Sequence, residues 1–246
     1  MYAADLAVPP ICSSRQRIGR RHYVVSMPGR PPAPADFDDR LFCLMVSVRN
    51  PAFSRRQLSG FFDLLDHFNA QGEIIIFDAP YARTIVATTP CQDERARELT
   101  KLDRITRERI EMVQRIRSNR CPALPVRSFE AVANEADPAW NEELRSAFAA
   151  GGAFRDAILA RSREVLPAGV TPSPEFLLFE LPVLLHLYLR YCARGVVDVY
   201  PGENPPLIWD VLLGRFADEL PAISRAAGLT RPLLYVDSAA ADDGRR

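Results

Sequence analysis

The sequence predicts an α/β domain: a mainly parallel β-sheet flanked by helices on both faces. Three observations carry this. Short, predominantly apolar runs, LFCLMVSV (41–48), EIIIFD (73–78) and GVVDVY (195–200), read as buried strands. The longer segments between them show helical spacing instead. Strands that alternate with helices connect through right-handed crossovers, which makes their sheet largely parallel.

Residues 1–36 are expected to form a loosely attached tail. Pro9, Pro10, Pro28, Pro31, Pro32 and Pro34 break periodicity and Arg15, Arg17, Arg20 and Arg21 add charge, although HYVVSM (22–27) has strand character. A single domain then spans 37–237. After the first strand, Leu58, Phe61, Phe62, Leu65 and Phe68 fall on one helical face within 51–69; Ser54 is placed to cap that helix and Gln71-Gly72 to close it. The second strand ends at Asp78-Ala79-Pro80. Residues 92–119 read as a long charged helix and 140–166 as a further helical region. Pro172-Ser173-Pro174 opens a helix over 175–192, 207–218 is again helical, and LLYVD (233–237) forms a last strand. The small, polar 238–246 is a second tail.

A chain of 246 residues can bury a sizeable core without staples. Its 31 basic and 31 acidic residues balance, which argues against a whole-surface polyanion binder and leaves room for a local basic patch. Lys101 is the only lysine, so nearly every cation is a planar guanidinium suited to phosphate and carboxylate. Five cysteines, odd in number and without CxxC spacing, fit neither a disulfide framework nor a zinc ribbon; a reducing cytoplasm is expected. His22, His67 and His186 are far apart in sequence, and no metal is expected. No apolar run approaches the ~18 residues of a membrane span, and the first residues lack a secretory apolar stretch. The absence of GxGxxG, GxxxxGK[ST] and GxSxG disfavours nicotinamide dehydrogenases, P-loop NTPases and α/β-hydrolases.

In parallel sheets, ligands bind beyond the C-terminal strand ends. That places Ser47–Asn50, Asp78 and Tyr200 near one edge. Ser47 either offers its hydroxyl to a pocket or merely ends its strand. Glu180 lies in FLLFELP, on one helical face with 176, 183, 184 and 187; an ionised carboxylate there is costly unless partnered, and the competing reading is a solvent edge. Pro182 is expected to break the local helical hydrogen bonding. Tyr200 reads equally as core packing with a tethered hydroxyl. In the helix over 94–120, Leu99, Leu102, Ile105, Ile110, Met112, Val113 and Ile116 form a stripe, with Arg97, Lys101, Arg104, Arg107 and Arg115 on the opposite arc. Such a face suits a phosphate backbone, or is a solvated surface laced with ion pairs.

Together these residues resemble the cyclodipeptide synthases, from about residue 40 to 237. The family's nucleophilic serine has an asparagine three residues on, as Ser47 and Asn50 do. Its Tyr-x-x-x-Glu-x-Pro element is matched by Phe176, Glu180 and Pro182, and its second tyrosine, twenty residues beyond the Glu, by Tyr200. Its basic tRNA-binding helix looks like 94–120, with Arg97, Lys101, Arg104 and Arg107 as tRNA contacts. The chain departs from the family where Phe176 lacks the tyrosine hydroxyl, where Met45 stands in place of a small residue, and where Asn50 with Tyr200-Pro201 mixes the markers of two branches.

The resemblance implies a Rossmann-like fold similar to the catalytic domain of class I aminoacyl-tRNA synthetases. It implies two aminoacyl-tRNAs as partners, no cofactor, and a ping-pong route through an aminoacyl-serine to a diketopiperazine. Ser47 would be the nucleophile. Glu180 would hold the ammonium of the bound amino acid, and Tyr200 would relay a proton or stabilise the oxyanion. Asn50, Phe176, Met45 and Asp198 would shape substrate binding, Asn50 by supporting the loop that carries Ser47. If Asp198 or Glu203 lines the second pocket, a cationic side chain such as arginine is the expected substrate. A monomer is expected, with tailoring enzymes downstream. A non-catalytic tRNA-binding homologue is the alternative, and a tRNA-independent hydrolase using Ser47 a third reading.

Overall fold

The computed structural model describes residues 9–50, 52–165, 174–190, 193–201 and 206–237. Seven strands form one sheet in the order β1-β2-β7-β6-β3-β4-β5. The parallel part comprises β3 (Leu41–Ser47), β4 (Gln71–Phe77), β5 (Val126–Ser128), β6 (Val196–Val199) and β7 (Leu234–Asp237). β3 lies between β4 and β6, so the chain leaves it in one direction and later returns on its other side. That topological switch point is where open α/β sheets form ligand crevices.

The N-terminal segment corrects the expectation of a tail. β1 (Ile11–Ile18) and β2 (Arg21–Pro28) form an antiparallel hairpin, and β2 pairs antiparallel with β7. The prolines that suggest disorder flank this unit; none lies between Pro10 and Pro28. Tyr23 and Val25 are wholly buried, and the Tyr23 hydroxyl donates to the Gly60 carbonyl at 2.7 Å, so the hairpin belongs to the core.

The first helix, α1 (Arg55–His67), begins where expected, with Ser54 Oγ accepting from the Gln57 N–H. It ends earlier than expected, at Asn69 with φ 45°, and Gly72 has a different task. Gly72 sits in β4 at φ 139°, where a Cβ would overlap the Phe42 carbonyl, so glycine allows β3 and β4 to approach. α2 (Ala79–Thr88) follows β4 directly, where the sequence pattern gives no helical signal. α3 (Gln92–Arg120) is the long charged helix, followed after β5 by α4 (Phe129–Ala133). The helical region expected over 140–166 is two helices, α5 (Pro138–Ala150) and α6 (Ala153–Val165), parted by Gly151 and Gly152 at φ 90° and 102°.

α7 (Glu175–Leu189) runs through Pro182 without ending, because its apolar sides are packed on both flanks and tertiary burial outweighs the lost hydrogen bond. The Pro172-Ser173 opening, Cys192 and Glu203 lie outside the described residues. α8 (Pro206–Leu212) and α9 (Pro221–Gly228) complete the fold. Side chains alternate across the sheet. Cys43, Met45, Ile75 and Phe77 face a core built with α4 to α9; Phe42, Leu44, Val46, Ile74 and Ile76 face one built with α1 and α3. No helix among the described residues is long and apolar enough to cross a membrane, and among them no cluster of His, Cys, Asp or Glu suits a metal ion.

Candidate active site

The C-terminal ends of β3, β4 and β6 meet over a cavity of about 260 Å³. Ser47, the last residue of β3, turns its hydroxyl into this cavity and is only 3% exposed. Beyond it, Val48 is pinned by its N–H to the Phe77 carbonyl at 3.3 Å. Arg109, from the inner side of α3, donates to the carbonyls of Val48 and Phe53. The loop after the serine is therefore tied both to the neighbouring strand and to the charged helix.

Tyr200 follows β6, its N–H bonded to the Val236 carbonyl at 3.1 Å and its ring edge-on to Phe53 with centroids 5.4 Å apart. Its phenol accepts from Asn50 Nδ2 at 3.2 Å and lines the same cavity as Ser47. The Asn50 Oδ1 accepts from the Ala52 N–H at 2.9 Å, so one amide fixes both the loop and the tyrosine. Asn50 stands behind Tyr200 and does not line the cavity.

Sequence reasoning missed Tyr81, in the first turn of α2, whose hydroxyl lies 2.8 Å from Ser47 Oγ. The available signal was position: Tyr81 comes directly after the end of the second strand, the neighbour of the strand that Ser47 ends. Asp78, expected at the site, instead caps α2 by accepting from the Ala79 N–H at 2.8 Å. Arg161 of α6 was also missed; it lines the cavity and pairs with Glu164 at 2.7 Å.

α7 presents Phe176, Glu180, Leu184 and Tyr188 to the cavity, a helical stripe spaced by four. Met45 and Asp198 line it from β3 and β6. Phe176, Met45, Glu180, Asp198, Tyr200 and Ser47 thus converge on one cavity, whereas Arg97, Lys101, Arg104 and Arg107 lie on the exposed face of α3.

Burial dominates the electrostatics. Glu180 keeps some accessible surface, because the cavity reaches it, but enclosure by protein raises its carboxyl to about 7 against the opposing pull of Arg161. Burial pushes the Tyr200 phenol up to about 12 and raises that of Tyr81, so both remain protonated at neutral pH and can donate. None of the three histidines lines the cavity. A serine flanked by two phenols, with a carboxyl nearby and no imidazole, suits attack on a carbonyl that is already activated.

No protein-family model matches the sequence, and no curated protein matches it. Solved structures show a likeness of fold. The fold is that of the cyclodipeptide synthases, which a structure from Mycobacterium tuberculosis shows to be related to type I tRNA synthetases. The chain superposes on that cyclodipeptide synthetase with a TM-score of 0.64 at 16% identity, over 97% of this chain and 100% of the other. A cyclodipeptide synthase from Bacillus thermoamylovorans gives 0.56 at 15% identity, over 82% and 90%. One from Streptomyces noursei gives 0.54 at 15%, over 69% and 86%.

Proposed function

We propose that the chain is a tRNA-dependent cyclodipeptide synthase. The observation that carries this reading is the convergence of Ser47, Tyr81, Tyr200 and Glu180 on one cavity at the switch point of this fold, without a histidine base. Ser47 Oγ attacks the ester carbonyl of an aminoacyl-tRNA. The new C–O bond forms as the bond to the terminal ribose breaks, and the serine proton passes through the Tyr81 and Tyr200 hydroxyls to the departing ribose oxygen. The tetrahedral oxyanion is held by the same phenols. Glu180, once ionised, holds the α-ammonium of the bound aminoacyl group. A second aminoacyl-tRNA then acylates its own amine on the enzyme ester, giving a dipeptidyl-tRNA whose acyl chain passes back to Ser47 as a dipeptidyl-serine. The first residue's free amine closes the ring and returns the proton to Ser47.

The exposed face of α3 would carry the acceptor arm. Two of its cations are partly neutralised, Arg107 by Asp103 at 2.7 Å and Lys101 by Glu98 at 3.7 Å. Arg97 and Arg104 have no carboxylate partner among the described residues. Replacing Arg97 and Arg104 together by Glu is expected to raise KM for charged tRNA by roughly tenfold or more and to flatten its salt dependence. Acylation of Ser47 by a small activated aminoacyl ester should be unchanged.

Tyr81→Phe keeps the ring and removes the hydroxyl bonded to Ser47. Single-turnover acylation should slow by roughly 10–100-fold, with KM for charged tRNA little altered.

The direct test is incubation of the purified chain with a mixture of charged tRNAs, followed by mass spectrometry. A diketopiperazine supports the reading. Phe176, without a hydroxyl, favours a second reading as a non-catalytic tRNA-binding protein, which predicts salt-sensitive tRNA binding and neither product nor adduct.

A further inference from the structure

We propose that Asp198 is the specificity-determining residue of the Ser47 cavity, and that the aminoacyl group it selects has a long cationic side chain, of the arginine or lysine kind. This rests on the synthase reading and names its substrate class.

The register of the sheet sets the depth of the carboxylate. Alternate residues of β3, Cys43, Met45 and Ser47, face the same side, and Cys43 is directly paired with Asp198 on β6. Asp198 therefore lies level with a residue four positions below Ser47, a distance of roughly 13 Å at the usual rise of a strand. It belongs to the lining of the cavity without exposed surface of its own, so a ligand meets it only when a neighbouring side chain moves aside.

Asp198 has no exposed surface. One of its oxygens accepts from the Tyr188 hydroxyl at 2.7 Å; the other, Oδ1, is buried without a hydrogen-bond partner among the described residues. No arginine or lysine forms an ion pair with it among those residues. A carboxylate held in this way is costly to keep, whereas an apolar residue would pack beside Cys43 and Met45 at no such cost. The free oxygen is satisfied if an N–H donor enters from the cavity.

Length selects among donors. An extended arginine carries its guanidinium roughly 7 Å from Cα. With the acyl carbon on Ser47 Oγ above and a hydrogen bond of about 3 Å below, the chain spans the drop to Asp198. A histidine ring stops short of it. The apolar wall between, Met45 and Leu184, suits the methylene stem, and the flexible thioether of Met45 can shift to admit it.

Charge gives the same answer independently. The cavity holds two carboxyls, Glu180 and Asp198, and the one cation lining it among the described residues, Arg161, is already engaged by Glu164. An arginyl or lysyl group brings two cations at opposite ends: the α-ammonium for Glu180 and the side-chain tip for Asp198.

The test uses the full chain and separately charged arginyl-, lysyl-, histidyl-, leucyl- and phenylalanyl-tRNA, with Ser47 acylation read by intact-protein mass in single-turnover mixing. Arginyl- or lysyl-tRNA should acylate at least about a hundredfold faster than leucyl- or phenylalanyl-tRNA. Asp198→Asn, which keeps the Tyr188 hydrogen bond, should lose most of that ratio. Equal or better acylation by the apolar aminoacyl groups in the wild type overturns the inference and leaves the synthase reading standing, as does an unchanged ratio in Asp198→Asn. Absence of an adduct with every charged tRNA overturns both.

Discussion

Ser47→Ala abolishes both the covalent adduct and the cyclic product, with a loss of roughly 10³-fold or more in turnover of charged tRNA. The size of the effect follows from chemistry: the variant has no hydroxyl at position 47 on which the acyl ester can form. The fold should survive. Ser47 is buried, but the hydrogen bond its side chain makes is to the Tyr81 hydroxyl, which can still bond within the cavity. A cost of about 1 kcal/mol, or a Tm lower by roughly 2–4 °C, is expected. Binding of charged tRNA, measured by filter retention, should remain within about threefold of wild type. Product formation by a correctly folded Ser47→Ala protein would remove the serine ester from the mechanism.

Glu180→Gln should separate stability from activity. Burial raises the carboxyl from 4.5 to about 7, so in this window the folded protein holds a proton that the unfolded chain has released. Below the ordinary value the group is neutral in both states and contributes nothing. As pH rises from 4.5 to about 7 stability falls, and above about 7, where the buried carboxyl is ionised too, the loss is complete. The full shift corresponds to about 3 kcal/mol, an upper bound because water in the cavity screens the charge. The neutral amide of the variant carries no such penalty. At pH 8 the variant should melt higher than wild type by up to roughly 5–10 °C, and the difference should vanish near pH 4. Asp198, also raised to about 7, contributes the same trend to both proteins and cancels from the comparison.

Activity should move the other way. The anionic carboxylate is the form that holds an ammonium, so acylation in the wild type should rise with pH through about 7. Glu180→Gln should lose that limb and slow by roughly a hundredfold. Equal melting temperatures at pH 8, or a wild-type profile flat between pH 6 and 8, would contradict the placement of an ionisable, substrate-holding group at 180.

Several parts of this arrangement are legible in the amino-acid pattern. β3, β4 and β6 announce themselves as apolar runs, because a strand buried on both faces needs apolar residues at every position. The periodicity of α3 marks both its inner stripe and its basic outer face. The spacing of Ser47 to Asn50, and of Phe176 to Glu180 to Tyr200, marks groups that gather around the cavity. The hairpin β1–β2 is hidden because its outer strand, ICSSRQRI, is a half-exposed edge whose polar residues resemble those of a loop. Gly151 and Gly152 read as part of one helix because a two-residue break scarcely alters a hydrophobic period.

The one-dimensional pattern determined which segments are strands in the parallel part of the sheet, which helix is basic, and which serine, glutamate and tyrosine are the candidates for the chemistry. These are properties of a residue and its near neighbours along the chain. Only the tertiary structure decided that Tyr81 touches Ser47, that Asp78 is a cap, that Asn50 holds Tyr200 from behind, and that Asp198 lines the same cavity as Ser47. Each of these depends on β6, β3 and β4 lying side by side with α7 packed across them. That adjacency comes from hydrogen-bond register between segments up to about 150 residues apart, such as those carrying Asn50 and Tyr200, and no local period encodes it.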